Sequence, residues 1–211
     1  EAPVLYSQVD LEYNKSVLQN FAENSGYFNT RTSADSTRHG KKATAEYIVK
    51  PGKQYKIKEV KFPTDSSIIS TAVRNTRRRS LLKKEEGYSL DVIKEERIRI
   101  DARLKEKGFF YFNPDYLKVQ VDTTVADHQV DLIVKVKEEA PKLAETPYKI
   151  NKIIVYPNYS IGADSVKTNM DSIKKYNDLT IIDQENLFKP RIFDRALYFK
   201  KEDLYNRTDH N

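Results

Sequence analysis

Two stretches of this 211-residue chain carry the same punctuation at the same spacing. Tyr6-Ser7 is followed twenty positions later by Gly26-Tyr27-Phe28, and Tyr88-Ser89 is followed twenty positions later by Gly108-Phe109-Phe110. An offset of 82 residues therefore superposes a helix-start pattern and a Gly-aromatic helix stop. Self-similarity at this scale marks a modular array. Small repeated modules present surfaces to other macromolecules, whereas a catalytic pocket needs unique residues converging in one place. The length admits two or three such modules, each near the lower limit for a self-sufficient core.

The composition fits that reading. Hydrophobic residues make up 38% and charged residues 32% of the chain, and no run approaches the roughly 18 apolar residues of a membrane-spanning helix. There is no Cys, which excludes disulfides and Cys-based zinc sites. The chain opens at Glu1 without a charged-then-apolar leader and reads as an excised segment. The net charge of +6 is spread as +1 over residues 1–53, +3 over 54–140 and +2 over 141–211, so no segment is a basic tail. The sharpest cluster, Arg77-Arg78-Arg79 with Lys83 and Lys84, reads as a solvated helix end that complements the macrodipole.

Within residues 54–140 the pattern is strand, helix, helix, strand, strand. Tyr55 to Phe62 is rich in strand formers and stops at Pro63, which cannot continue a ladder. Asp65 and Ser66 are positioned to cap a helix whose inner face runs Ile68, Ile69, Ala72, Val73 and Thr76. Gly87 breaks the chain, and Ser89 caps a second helix with a stripe of Leu90, Ile93, Ile100 and Leu104; Arg97 shares the register and is expected to snorkel to water. After Gly108 comes the aromatic run Phe109 to Phe112, a bend at Asn113-Pro114-Asp115, and a period-two strand through Leu117, Val119 and Val121. Val130, Leu132, Val134 and Val136 then alternate with Asp131, Ile133, Lys135 and Lys137, which predicts a strand with one buried face. The fold class expected is α+β, a sheet covered on one side by two helices.

Residues 1–53 repeat the second half of this unit. Ser7 with Asp10 makes a capping-box pattern, Leu11, Leu18 and Ala22 take the places of Ile93, Ile100 and Leu104, and Ala45, Tyr47 and Val49 alternate in a closing strand. Residues 141–211 begin a third copy. Tyr148-Lys149-Ile150 repeats Tyr55-Lys56-Ile57 and leads into Ile153, Ile154 and Val155; Pro190-Arg191-Ile192-Phe193 reads as a first helical turn, and Glu202 to Asn206 echoes Glu85 to Ser89. Residues 159–183, longer than their counterpart in the second copy, carry an insertion with no assigned element.

The order strand, helix, helix, strand, strand, with Gly-aromatic after the second helix and a charged valine strand at the end, resembles the POTRA domain (polypeptide-transport-associated). The residues that carry the resemblance are Tyr88-Ser89, Gly108-Phe109-Phe110, Val130 to Val136 and Tyr148 to Ile154. It covers the chain as a partial module over 1–53, a complete one over 54–140 and a further partial one over 141–211. Two departures stand out: the insertion, and Pro63 where a glycine-asparagine pair is usual. Within that superfamily the chain looks like the periplasmic part of a BamA/TamA-type (Omp85) outer-membrane assembly protein of the kind found in Bacteroidetes.

The resemblance implies tandem β-α-α-β-β modules, each with a three-stranded mixed sheet on two helices, standing in the periplasm ahead of a C-terminal membrane β-barrel in the same protein. It also implies partners: nascent outer-membrane polypeptides or accessory assembly proteins, held by strand addition at the edge made by the strand after the second helix. An open edge offers unpaired N–H and C=O groups to any extended chain, so affinity comes with little sequence preference. The residues expected on that edge are Phe110, Phe112, Tyr116, Lys118 and Gln120 in the complete module and Phe28, Thr30 and Thr32 in the first, with Gly26 and Gly108 as motif glycines. The alternative is that Phe110 and Phe112 fill the core and the Asn113-Pro114 bend blunts the edge.

A rival reading takes Lys107-Gly108-Phe109-Phe110-Tyr111-Phe112 as an RNA-binding strand on which bases stack. It fails in detail, because Phe110 stands where a small residue belongs, Pro114 falls on the last stacking position, and both helices precede the strand. Enzyme readings are weaker still. His39, His128 and His210 are isolated in polar settings, and six glycines form no phosphate loop. Carboxylate pairs such as Glu95-Glu96 and Glu138-Glu139 lie among Lys and Arg on faces predicted to be wet. No cofactor, metal, nucleic acid or small-molecule substrate is expected.

Overall fold

The computed structural model describes residues 5–157, 159 and 173–210. The chain divides into two compact units, one holding the residues through Ile100 with Pro114–Glu138, the other holding Asp101–Asn113 with the residues from Glu139 on.

The first unit opens with a 3-10 turn at Tyr6–Gln8, followed by α1 (Leu11–Asn24). Asp10 is the N-cap, its carboxylate accepting the Tyr13 N–H at 2.9 Å. Ser7, expected in a capping box, lies in the 3-10 turn instead, because a carboxylate at Asp10 both satisfies an orphan N–H and opposes the positive end of the helix dipole. Strands β1 (Arg31–His39) and β2 (Lys42–Lys50) form an antiparallel hairpin around Gly40, whose φ is +62°. α1 lies on one face of the hairpin: Asn14 donates to the Tyr47 hydroxyl at 2.9 Å, and the Thr32 hydroxyl donates to Gln19 Oε1 at 2.9 Å.

The sheet of the 54–140 segment is complete. β3 (Lys56–Lys61) precedes α2 (Ile68–Asn75), and α3 (Leu90–Lys105) leads to β4 (Leu117–Ala126) and β5 (Gln129–Val136). The strand order is β3-β5-β4, with β3 parallel and β4 antiparallel to the central β5. A parallel neighbour needs a long crossover, which the two helices supply, whereas β4 and β5 need only the tight turn at Asp127-His128, where His128 takes φ +52°. Ile57, Leu117, Val130, Leu132 and Val134 are buried on the inner face, and Ile69, Val73, Ile93 and Ile100 are buried on the helices.

Three details differ from the sequence expectation. The α2 cap is Ser67, whose hydroxyl accepts the Ser70 N–H at 3.2 Å; Asp65 instead accepts the Ser67 N–H, and hydrogen bonds from the Ser67 and Ser70 side chains draw its carboxyl down to about 2. Ile68, at the first turn, points to water, and Ser70 is buried in its stead. Arg97 does not snorkel: its guanidinium donates to the Pro114 carbonyl at 3.0 Å and to Asp115 at 2.8 Å, and so pins the 3-10 turn at Pro114–Tyr116.

Glu96 is the largest departure. Expected on a wet face, it is fully buried, and its two oxygens accept the Ser80 hydroxyl (2.8 Å), the Leu81 N–H (2.9 Å) and both arms of Arg99 (2.7 and 2.8 Å). A buried carboxylate persists only where paired and hydrogen-bonded, and this one meets both conditions. It anchors the loop behind the Arg77–Arg79 turn, whose three arginines remain exposed.

The second unit contains β6 (Ile153–Val155), β7 (Ile173–Tyr176), β8 (Leu179–Ile182), α4 (Arg191–Ala196) and the short α5 (Arg207–His210). Its sheet order is β6-β8-β7, with β6 parallel and β7 antiparallel to β8. Of the 159–183 insertion, residues 160–172 lie outside the described residues; the described remainder contributes the β7–β8 hairpin, turned at Asn177 with φ +50°. Ile153, Leu179 and Ile181 form the core, with Phe193, Leu197 and Phe199 packed against it.

Glu96→Ala is expected to destabilise the protein by about 3 kcal/mol, since it strands the Arg99 charge and two loop donors. Glu95→Ala, at an exposed neighbour, is expected to stay within about 0.5 kcal/mol. Urea unfolding of both variants checks the contrast.

Candidate partner-binding edge

β4 is a terminal strand of its sheet, bonded to β5 on one side and to no strand on the other among the described residues. Its pairing is regular from Leu117 opposite Val136 to Asp122 opposite Asp131, and the register then shifts before Ala126. The Arg97-bound turn at Pro114–Tyr116 closes one end of the regular stretch, and an Asp122 turn, accepting from the Thr124 N–H at 2.9 Å, closes the other. The open margin is thus the six residues Leu117–Asp122, on the order of 20 Å long.

Lys118 and Gln120 stand exposed on this margin, and the Gln120 side chain accepts from Lys135 Nζ across the strand at 3.3 Å. The surrounding outer face mixes both charges. Lys61 Nζ pairs with Asp131 at 2.7 Å, and its own ionisation is pushed upward first by that hydrogen bond. The Asp122 carboxyl is held low, chiefly by hydrogen bonds from Thr124 and in smaller part by Lys61. Such a face has no strong sign and leaves the backbone as the dominant recognition feature.

The remaining expected edge residues lie elsewhere. Phe112 is buried at 2% exposure, ahead of the strand, and serves as core. Phe110 is half exposed, also ahead of the strand, with its ring 4.8 Å from Tyr205 and 4.9 Å from Tyr111. The aromatic run is therefore a turn and not a strand face, which removes the flat platform an RNA-binding reading requires. Tyr116 is in the 3-10 turn, one residue short of β4. In residues 1–53, Phe28 and Thr30 precede β1; Thr30 is buried, donating to the carbonyls of Tyr27 (2.5 Å) and Pro51 (3.2 Å). Thr32 is on β1, itself a terminal strand, but its side chain turns toward α1. The physical reason is common to both copies: the residues after the glycine must first return the chain across the end of the helix before a strand can begin.

Phe28 has a different set of neighbours from the one expected. Its ring lies 5.0 Å from Tyr55 and 4.9 Å from Tyr88, edge-on and tilted. Gly26, at φ +88°, turns the chain here, and a Cβ on it would stand 2.8 Å from the Tyr88 carbonyl oxygen. Gly108, at φ +91°, is equally confined, with Leu204 at 2.8 Å. Both motif glycines thus have a steric as well as a conformational reason. Burial also pushes the Tyr88 hydroxyl above its ordinary ionisation range. Tyr55 and Tyr88 escaped the sequence reading as site residues, although the recurrence of Tyr88 at Tyr6 and of Tyr55 at Tyr148 was a signal for them.

The histidines do not converge into a site. His39 ends β1, His210 ends α5, and His128 in the β4–β5 turn stacks on Tyr55 at 5.2 Å. Among the described residues no group of three His, Asp or Glu is placed to hold a metal ion.

The β3-α2-α3-β4-β5 layer with a free β4 margin has the element order that the POTRA resemblance implies. The chain is similar to solved POTRA domains of BamA and Omp85 proteins. It shares 17% identity and a TM-score of 0.43 with BamA from Haemophilus ducreyi lacking POTRA domains 1–3, over 66% of this chain and 25% of that one. With POTRA domains 3–5 of Haemophilus influenzae BamA it shares 12% identity and a TM-score of 0.45, over 95% of this chain and 65% of that one. With POTRA domains 1–3 of the periplasmic domain of Omp85 from Anabaena the figures are 14%, 0.30, 99% and 76%. The chain therefore spans a quarter and about two thirds of the length of the first two. No family model and no curated protein matches it.

Phe112→Ala is expected to cost about 3–5 kcal/mol of stability, as for a large ring removed from a core. Phe110→Ala is expected to cost clearly less, because that residue is already 43% exposed. Thermal and urea unfolding of the pair check this division of roles.

Proposed function

We propose that this chain is a periplasmic scaffold segment of an outer-membrane protein assembly or insertion factor of BamA/TamA type. In this reading residues 54–140 are one complete POTRA module, residues 1–53 the second half of the preceding one and residues 141–211 the start of the next. A membrane β-barrel in the same protein performs insertion, and this segment performs no chemistry. Its guests are nascent outer-membrane polypeptides or accessory assembly proteins in extended form.

The observation that carries the proposal is the six-residue margin Leu117–Asp122, paired with β5 on one side and with no strand on the other among the described residues, and bounded by a turn and a register shift. A guest strand laid along it pairs backbone to backbone, so its sequence matters little. The alternation of β4 also leaves Lys118 and Gln120 free to meet guest side chains while Leu117 stays committed to the core.

Backbone NMR of the chain, titrated with an unfolded peptide from an outer-membrane β-strand, tests the proposal. Shifts and slowed amide exchange along 117–122 are expected. Shifts confined to Arg77–Arg79, or none, would remove strand addition at β4.

A further inference from the structure

We propose that the Gly-aromatic end of each module is a docking socket built for the next module, and that the residue pairs Gln54/Gly87 and Pro147/Leu204 are two alternative, mutually exclusive fillings of it. The basis is that the chain builds the same joint twice, bond for bond. In the first unit the Gly26 carbonyl accepts the Tyr55 N–H at 2.8 Å, and the Tyr55 carbonyl accepts the Tyr88 N–H at 2.9 Å. In the second unit the Gly108 carbonyl accepts the Tyr148 N–H at 2.8 Å, and the Tyr148 carbonyl accepts the Tyr205 N–H at 2.9 Å.

The match continues outward from these bonds. Ile57 receives the Glu85 N–H at its carbonyl (2.8 Å) and gives its own N–H to the Glu86 carbonyl (2.9 Å). Ile150 does the same with Glu202 (2.7 Å) and Asp203 (2.8 Å). Glu85 and Glu202 both adopt φ +69°, a left-handed conformation that a glutamate rarely takes unless its surroundings demand it. Lys56 bridges Gly87 as Lys149 bridges Leu204. Four backbone bonds and a strained turn recur although the intervening segments differ in length, so the joint is an autonomous structural element.

The two joints differ at one linked pair of positions. Gln54 precedes Tyr55, and its amide donates to the Ser25 carbonyl at 2.9 Å; Pro147 precedes Tyr148 and has no such donor. Opposite Gln54 stands Gly87, where a Cβ would meet the Gln54 amide nitrogen at 2.5 Å. Gly87 has no positive φ, and the nearest atoms to a Cβ there are those of the Gln54 amide, the far end of a flexible side chain that has to move to admit a larger residue. Opposite Pro147 stands Leu204, whose side chain fills the space beside Gly108. The Gln54 amide in its bonded position leaves room for glycine across from it, and a compact ring admits leucine.

Hydrogen exchange at the Tyr55 amide, the bond that crosses from one module to the next, tests the proposal in the 211-residue chain. Gly87→Leu alone must expel the Gln54 amide and break its bond to Ser25, and is expected to speed Tyr55 exchange about tenfold, while the Leu132 and Val134 amides of the module core keep their protection. Adding Gln54→Pro is expected to bring Tyr55 back to within about threefold of wild type. If the double variant exchanges as fast as Gly87→Leu, or if the wild-type Tyr55 amide already exchanges like an exposed loop, the socket does not exist as described.

Discussion

The bond from the Tyr55 amide to the Gly26 carbonyl, with its counterpart from Tyr148 to Gly108, is the interaction around which this chain is arranged. A module of this size buries too little surface to be generous with unsatisfied backbone. α1 and α3 are each followed by a glycine with positive φ, and its carbonyl is taken up by a tyrosine, Tyr55 or Tyr148, in the segment leading to the next parallel strand. The helix stop and the link to the neighbour are therefore one device. That coupling explains why the aromatic residues after the glycine are not free to line a strand. Phe28 closes on Tyr55 and Tyr88, and Phe110 closes on Tyr205.

A second consequence concerns where the proposed extended guest would find open backbone. With the aromatic run committed to the turn, the open backbone begins at Leu117, after the Arg97 contacts have fixed Pro114 and Asp115. The margin is short, and short margins are how proteins keep an open edge without inviting aggregation. If neighbouring modules are fastened as proposed, a guest released from one margin stays close to the next, which raises its effective concentration there without any new contact.

The buried Glu96 shows how a helix face becomes ambiguous. Ile93 and Ile100 define the inner stripe, and both Glu96 and Arg97 fall between them at spacings of three and four. From spacing alone Arg97 is the natural inward residue, with its head led out to water. The structure turns Glu96 inward because the Ser80 hydroxyl, the Leu81 N–H and Arg99 converge on that point, and turns Arg97 sideways to the Pro114 carbonyl. Arg99 is three residues on, but Ser80, Leu81 and Pro114 lie 15 or more positions from the helix residues they bind, so no local pattern announces them.

The amino-acid sequence by itself determined the order and type of the elements in residues 54–140 and the places where the helices stop. These follow from periodicity, from glycine's access to positive φ and from proline's missing donor, all of which act within a few residues. Only the tertiary structure decided which carboxylate is buried, which aromatics are core and which strand margin is left open. It also supplied the β7–β8 hairpin inside the insertion, where runs of four residues are too short to carry a period. Burial and pairing depend on groups brought together from distant parts of the chain, and the free energy of a polar group or a ring is set by those neighbours, not by its place in the sequence.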